Sequence, residues 1–412
     1  MTPKMGESAK KRLVVKVGTN TLTGGDDQLA RPAMAEVARQ IARLVHDGHE
    51  VALVSSGAIV AGRQALDITR NGKAASARSA GNPSSGDGHP NAAAALGTPV
   101  PRRSAPEGAQ RRDIPFKQVL AAVGQTKLMQ LWDELFSQEG LIVAQTLLTR
   151  GDLADRQGYL NSRNTLLALL NRHVVPIINE NDVVATEEIK IGDNDNLSAL
   201  VANLIDADLL VLLTDQAGLY TADPRRDRSA ALIPEVRVIS DAIIALAAGA
   251  GTARGTGGMM TKLQAARLAT ESGITVLVAG GTIENVLVKA VKGEAVGTRF
   301  PSSRTRLESR KRWILAGLAG KAAAYIDAGA VTALGRGRSL LPAGVVNVKG
   351  PFDRGDSVNI VGPESRSIAC GVANYSSADL ERIKGCRSSE ITQILGYNFG
   401  DEVIHRNNVV ML

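Results

Sequence analysis

Leu209-Leu-Val-Leu-Leu213, closed by Thr214-Asp215, is five aliphatic residues in a row with no polar alternation, and it ends abruptly in a hydroxyl and a carboxylate. A strand with one wet face alternates apolar and polar side chains. An unbroken run bounded by polar residues is a strand buried on both faces. The same texture occurs at Leu13–Val17, Val51–Val54, Leu141–Thr146, Val174–Ile178 and Ile274–Val278. Helical patterns fill the intervals. The clearest has Pro32 near its first turn, Val37, Ile41, Leu44 and Val45 on one stripe, and Gly48 as a stop. Further helices are expected near 117–139, 161–171, 197–206 and 260–272. Buried strands alternating with helices define an α/β three-layer sandwich with a mostly parallel sheet, whose ligands sit beyond the strand carboxyl ends.

Outward from that core the texture changes twice. Residues 68–112 are dominated by Ala, Gly, Ser, Pro, Asn and Arg, with Ile68, Leu96 and Val100 as their only large aliphatics, and read as a disordered insertion. From about 305 the runs shorten and turns multiply, as in Ser339-Leu-Leu-Pro-Ala-Gly344, Val345–Val348 and Ser357–Val361, which reads as a small β-rich domain. The expected division is a first domain over 1–303, a charged linker over 304–312 and a second domain over 313–412.

With 412 residues, 44% hydrophobic and 22% charged, the chain has the composition of a globular protein with ample core. The apolar run near the amino terminus is too short for a signal peptide or a membrane span, and no later stretch approaches the length needed to cross a bilayer. Cys370 and Cys386 have no CxxC or Cys/His company, so neither a disulfide framework nor a zinc site is indicated. The expected location is the cytoplasm. The net charge of +7 is uneven: residues 68–112 hold seven Lys/Arg against two acids, residues 304–412 hold fifteen against ten, and the rest is mildly acidic. A polyanion would have to meet one of those two basic segments.

Chemistry gathers where the buried strands end. Lys16-Val-Gly-Thr-Asn20 offers a cation and, at Gly18, a backbone that can approach a phosphate closely. Ser55-Ser-Gly-Ala58 offers a hydroxyl and free helix N–H groups to an anion. Asn179-Glu-Asn-Asp182 and Gly192-Asp-Asn-Asp-Asn196 carry more acids and amides than turns need, and suit a small zwitterion or a metal, since carboxylates bind an ammonium and amides a carboxylate. Gly255-Thr-Gly-Gly-Met-Met-Thr-Lys262 opens a helix with glycines and a lysine, as nucleotide phosphates require. No Gly directly precedes Lys262, so this is not a Walker A loop, and no GxGxxG follows a strand. Taken singly, the Lys16, Ser55 and Gly255 segments read as well as a turn, a cap or a linker, whereas the two clusters of acids and amides favour a site over Asx turns and a helix cap.

Taken together and in this order, VVKVGTN, LVSSGAIVAGR, LAAVGQ, INENDVVATEEIKIGDNDNLSALVA, LLTDQAGLYTADPR and GTGGMMTKLQAA resemble the amino acid kinase family over nearly the whole chain except 68–112. LLPAGVVNVKG, FDRGDSVNIV and IACGVANYSSADL resemble a PUA domain, a small β-barrel often found in RNA-modifying enzymes. The NEND and GDNDN pair separates the chain from relatives acting on aspartate, acetylglutamate, carbamate or UMP. The resemblance implies ATP-dependent phosphorylation of the side-chain carboxylate of L-glutamate. Lys16 and Lys262 would neutralise the transferring phosphoryl group and Asp195 would orient them near Mg²⁺. Gly18 and Gly57 would supply backbone hydrogen bonds. Ser56, Asp182 and Asn194 would bind glutamate, with Asp193 close by. Thr214, Asp215, Thr256, Gly257, Gly258, Met259, Met260 and Thr261, with Lys16 and Lys262, would hold ATP. Met260 and Asn20 depart from residues common in the family. The resemblance also implies feedback inhibition by proline and a homo-oligomer, tetramer or dimer. A second reading, of a different class, is an RNA-binding regulatory protein whose kinase domain is degenerate. His46, His49, His89, His173 and His405 match no motif.

Overall fold

In the computed structural model, which describes residues 10–68, 114–184, 194–248, 258–302 and 322–412, all six apolar runs form strands. These are β1 (Arg12–Val17), β2 (Glu50–Ser55), β3 (Val143–Leu148), β4 (Val175–Glu180), β5 (Leu209–Thr214) and β6 (Thr275–Gly280). A short seventh strand, β7 (Thr298–Phe300), pairs antiparallel with β6 at one edge. The order is β3-β4-β2-β1-β5-β6-β7, and every pair but the last is parallel. β3 starts two residues later than the sequence suggests, because Leu141, although buried, follows the Glu139–Gly140 turn without joining the sheet ladder.

The helices are α1 (Thr19–Thr23), α2 (Arg31–His46), α3 (Ala58–Ala65), α4 (Ile114–Gln138), α5 (Arg150–Ala154), α6 (Arg156–Leu170), α7 (Asn194–Leu204), α8 (Asp241–Ala248), α9 (Met259–Glu271) and α10 (Val286–Lys292). Side chains alternate across a strand, so each strand feeds two cores. Leu13, Val15, Val17, Leu53 and Val211 pack with Met34, Trp132 and Leu287 from α2, α4 and α10. Val14, Val54, Leu210 and Leu212 pack with Leu166, Leu197 and Leu263 from α6, α7 and α9. The three layers follow directly.

Two glycines decide how α3 and α4 meet. A Cβ at Gly124 would lie 1.7 Å from the Ala58 carbonyl oxygen, and one at Gly62 would lie 2.0 Å from that of Leu120. Backbone therefore touches backbone, and α4 is drawn against the carboxyl end of β2.

The second domain has a five-stranded sheet ordered β12-β11-β10-β8-β9, from β8 (Ala323–Ile326), β9 (Val345–Lys349), β10 (Ser357–Val361), β11 (Ser367–Val372) and β12 (Val409–Met411). Its core, including Ala324, Ile360, Tyr375 and Ile404, is its own. It docks on α6. Leu160 is buried among Cys370, Val372 and Val410, and Arg156 pairs with Asp356 at 2.7 Å. The linker expected over 304–312 and the insertion expected over 68–112, past Ile68, lie outside the described residues. Neither Cys370 nor Cys386 is in a disulfide among the described residues. Among the described residues no helix is long and apolar enough to cross a membrane.

Candidate active site

Lys16 shares its strand face with Val14, so an ammonium stands where a further aliphatic side chain would point at α7 and α9. Its Nζ lies 2.5 Å from Asp195 Oδ1. Lys262 Nζ lies 3.1 Å from Asp195 Oδ2, to which Thr261 Oγ1 also donates at 2.8 Å. All three charged residues are excluded from water, with exposures of 3%, 0% and 5% for Lys16, Asp195 and Lys262. Burying charge is costly unless it is paired. Here one carboxylate serves two ammoniums at the carboxyl edge of the sheet. Asp195 stands in the first turn of α7, where the helix dipole favours a carboxylate, whereas Lys262 stands in the first turn of α9, where the dipole opposes it. Asp195 is what makes that lysine tolerable.

Beside this cluster lies a neutral polar one. Asn194 Nδ2 donates to Ser56 Oγ at 3.0 Å, to Asn179 Oδ1 at 3.0 Å and, more loosely, to the Ser55 carbonyl at 3.3 Å. Asn179 Nδ2 in turn donates to Gln125 Oε1 at 2.8 Å. Buried Trp132 Nε1 donates to Ser55 Oγ, which fixes the turn after β2. Gly57 has φ +109°, and a Cβ there would press within 3.2 Å of the Leu22 and Leu29 side chains, so only glycine turns the chain into α3 at this point. Asp182 lies half-buried two residues past β4, in a turn held by the bond from the Asn181 N–H to the Leu148 carbonyl. Asp193 lies outside the described residues.

On the other flank, Asp215 accepts from Thr214 Oγ1 at 3.1 Å, Asn20 Nδ2 at 3.2 Å and Arg225 at 3.3 Å. A cavity of about 1040 Å³ opens there, lined by Asn20, Thr214, Asp215, Arg225 and Gly281 among others. That is room enough for a nucleotide. Gly18 comes close to the lysine, since a Cβ on it would be 3.5 Å from Lys16 Nζ. Of the loop before α9, Gly258 is open, Met259 is buried in the core and Met260 packs against that core; Thr256 and Gly257 lie outside the described residues. Gln125 and Arg225 stand inside quoted motifs with no role read from sequence, and Asn20 and Asn179, named there, carry no assigned ligand. Among the described residues no three His, Cys, Asp or Glu side chains gather around a metal position. Asp195 carries an ammonium on each of its oxygens.

The model of the amino acid kinase family matches residues 11–280, and that of the PUA domain matches residues 323–395. The chain belongs to the amino acid kinase family. Within it, the similarity runs over the full length to proteins named glutamate 5-kinase. The chain is 50% identical to that of Herpetosiphon aurantiacus, covering 98% of this chain and 100% of the other. It is 47% identical to that of Dehalococcoides mccartyi, covering 99% and 100%. It is 50% identical to that of Shewanella amazonensis, covering 98% and 96%.

Proposed function

We propose that this protein transfers the γ-phosphoryl group of ATP to the side-chain carboxylate of L-glutamate, giving glutamyl 5-phosphate and ADP, the first step of proline biosynthesis. The observation that carries the reading is the adjacency of the Lys16–Asp195–Lys262 cluster, which gathers two ammoniums on one carboxylate, to the Ser56–Asn194–Asn179 cluster, which gathers uncharged hydrogen-bonding groups. A glutamate side chain ionises near pH ~4.3, so at neutral pH the nucleophile is formed and no general base is needed. The difficulty is bringing one anion to another. Lys16 and Lys262 neutralise the transferring group, Asp195 orients them, and the Gly18 and Gly57 backbones approach it closely. Ser56, Asp182 and Asn194 bind glutamate, with Asp193 nearby, while Thr214, Asp215 and the 256–262 loop hold ATP. Mg²⁺, if held mainly by the nucleotide's phosphates with Asp195 nearby, would supply charge compensation for the leaving group.

Finer expectations belong to the same reading. Proline, an amino acid of similar polarity, acts as feedback inhibitor. The protein works in the cytoplasm as a homo-oligomer, and the basic carboxyl-terminal domain is where RNA would bind. Retention of a buried three-charge cluster speaks against a degenerate kinase serving only RNA, because such a cluster costs stability unless used. The test is acyl phosphate trapped as hydroxamate: formation should require both ATP and L-glutamate and fail with L-aspartate. RNA binding at physiological salt without any hydroxamate would favour the regulatory reading instead.

A further inference from the structure

Gln125, on α4 directly after the Gly124 contact with α3, is nine-tenths buried, yet its Nε2 has no hydrogen-bond partner among the described residues. Its orientation follows from its neighbours. The Ser55 carbonyl can only accept, so Asn194 turns Nδ2 toward it, and the same nitrogen meets Asn179 Oδ1. Asn179 is thereby left to donate through Nδ2, which meets Gln125 Oε1. At the end of this chain of amides Gln125 has spent its acceptor and presents two N–H bonds. A buried donor without an acceptor is costly and rare. Ser56 Oγ, which accepts from Asn194, also keeps its proton available to a second acceptor.

We propose that Gln125 Nε2 binds the α-carboxylate of the amino-acid substrate, and that the Ser55–Asn194–Asn179 chain serves to present it. This rests on the functional reading above. Asn179 is the penultimate residue of β4 and Lys16 that of β1, two strands away, or roughly 10 Å at the usual spacing. The two carboxyl carbons of an extended glutamate are about 5 Å apart on ordinary bond lengths, and a hydrogen bond at each end makes up the rest. A substrate with its side-chain carboxylate at the lysines therefore carries its α-carboxylate toward β4 and Gln125. Asp182, also past β4, is the acid suited to the ammonium.

The test uses the full chain with Gln125→Glu and Gln125→Met, each assayed with L-glutamate and with L-isoglutamine, whose α-carboxylate is a carboxamide. Gln125→Glu keeps an acceptor for Asn179 but replaces the presented donor by an acceptor. Its KM for L-glutamate should rise about tenfold or more, KM for ATP should hold, and the preference should shift toward isoglutamine. Gln125→Met should raise KM for glutamate without that shift, and it stands in if the glutamate variant does not fold. Wild-type protein that makes no acyl phosphate from glutamate would overturn the functional reading and this proposal together. Wild-type activity with KM for glutamate within twofold in both variants, or with both substrates weakened equally by Gln125→Glu, would overturn this proposal alone.

Discussion

Lys16 on the central strand and Asp195 at the start of α7 are joined by a 2.5 Å ion pair from which water is excluded. Their pairing couples stability to catalysis, because whatever removes the carboxylate leaves two buried ammoniums facing each other. Asp195→Ala should therefore lower unfolding free energy by about 3–5 kcal/mol, the usual cost of breaking a buried pair, as well as abolish turnover. Lys16→Ala and Lys262→Ala should instead act on kcat, lowering it on the order of a hundredfold or more with little change in KM for glutamate, since the charge they meet is greatest in the transition state. Urea midpoints and initial rates on the three variants separate these effects, and near-normal turnover in either lysine variant would contradict their role.

Asp182→Ala and Asn194→Ala should weaken glutamate, raising its KM about tenfold, and leave KM for ATP within twofold. Asn194 touches Ser56 and Asn179 but none of the groups around Asp215. If nucleotide affinity fell instead, the two subsites would be reversed.

How far the sequence carries the reading depends on the range of the contacts involved. The six strands are legible because a strand buried on both faces is apolar throughout, and Lys16 stands out because it interrupts such a run. α6 is expected from about 161 but begins at Arg156, since its first turn is exposed and polar; the signal that places it is a cap, Asp155 accepting from the Gly158 N–H. Gly62 and Gly124 read as costs within helices, and only the close approach of α3 and α4 gives them a purpose. The Asn179–Asn194 bond joins two clusters separately visible in the sequence, whereas the placing of Gln125 beside them depends on the packing of a distant helix. Leu160 looks like any other apolar helix residue, so nothing local announces that it is covered by the second domain.

A chain ending at Pro301 should still fold and form acyl phosphate, because every proposed site residue precedes that point and the second domain keeps its own core. It should be less stable, since uncovering Leu160 forfeits about 1.5–3 kcal/mol of burial, a loss of several degrees in melting temperature for a domain of this size. A folded truncated protein without catalysis would mean that the second domain completes the site.

His49 has no part in the chemistry but should shape the pH dependence of stability. Burial, helped by the charge of Lys11, holds its pKa below the ordinary value of 6.5, and its Nδ1 accepts the Lys11 N–H at 3.0 Å. The unfolded chain therefore takes up the proton more readily than the folded one. The stabilisation is complete above about pH 6.5 and is lost as pH falls through that value toward the folded-state pKa. Denaturant unfolding between pH 5 and 8 should show His49→Asn, which keeps an acceptor but does not titrate, with a flatter acid limb than the wild type. Parallel limbs would exclude this residue as the cause.

The claim on which the rest depends is that a glutamate carboxylate oxygen attacks the phosphorus of ATP at the Lys16–Asp195–Lys262 cluster. Isotope transfer tests it most directly. L-glutamate labelled with ¹⁸O in its side-chain carboxylate is incubated with the full-length protein and ATP, and the acyl phosphate is left to cyclise, the substrate amine displacing phosphate with cleavage of the carbon–oxygen bond. The phosphate released should carry one ¹⁸O atom, and the Lys262→Ala variant should release almost none. Phosphate free of the label from the wild-type protein would show that water or another acceptor took the phosphoryl group, and would contradict the account.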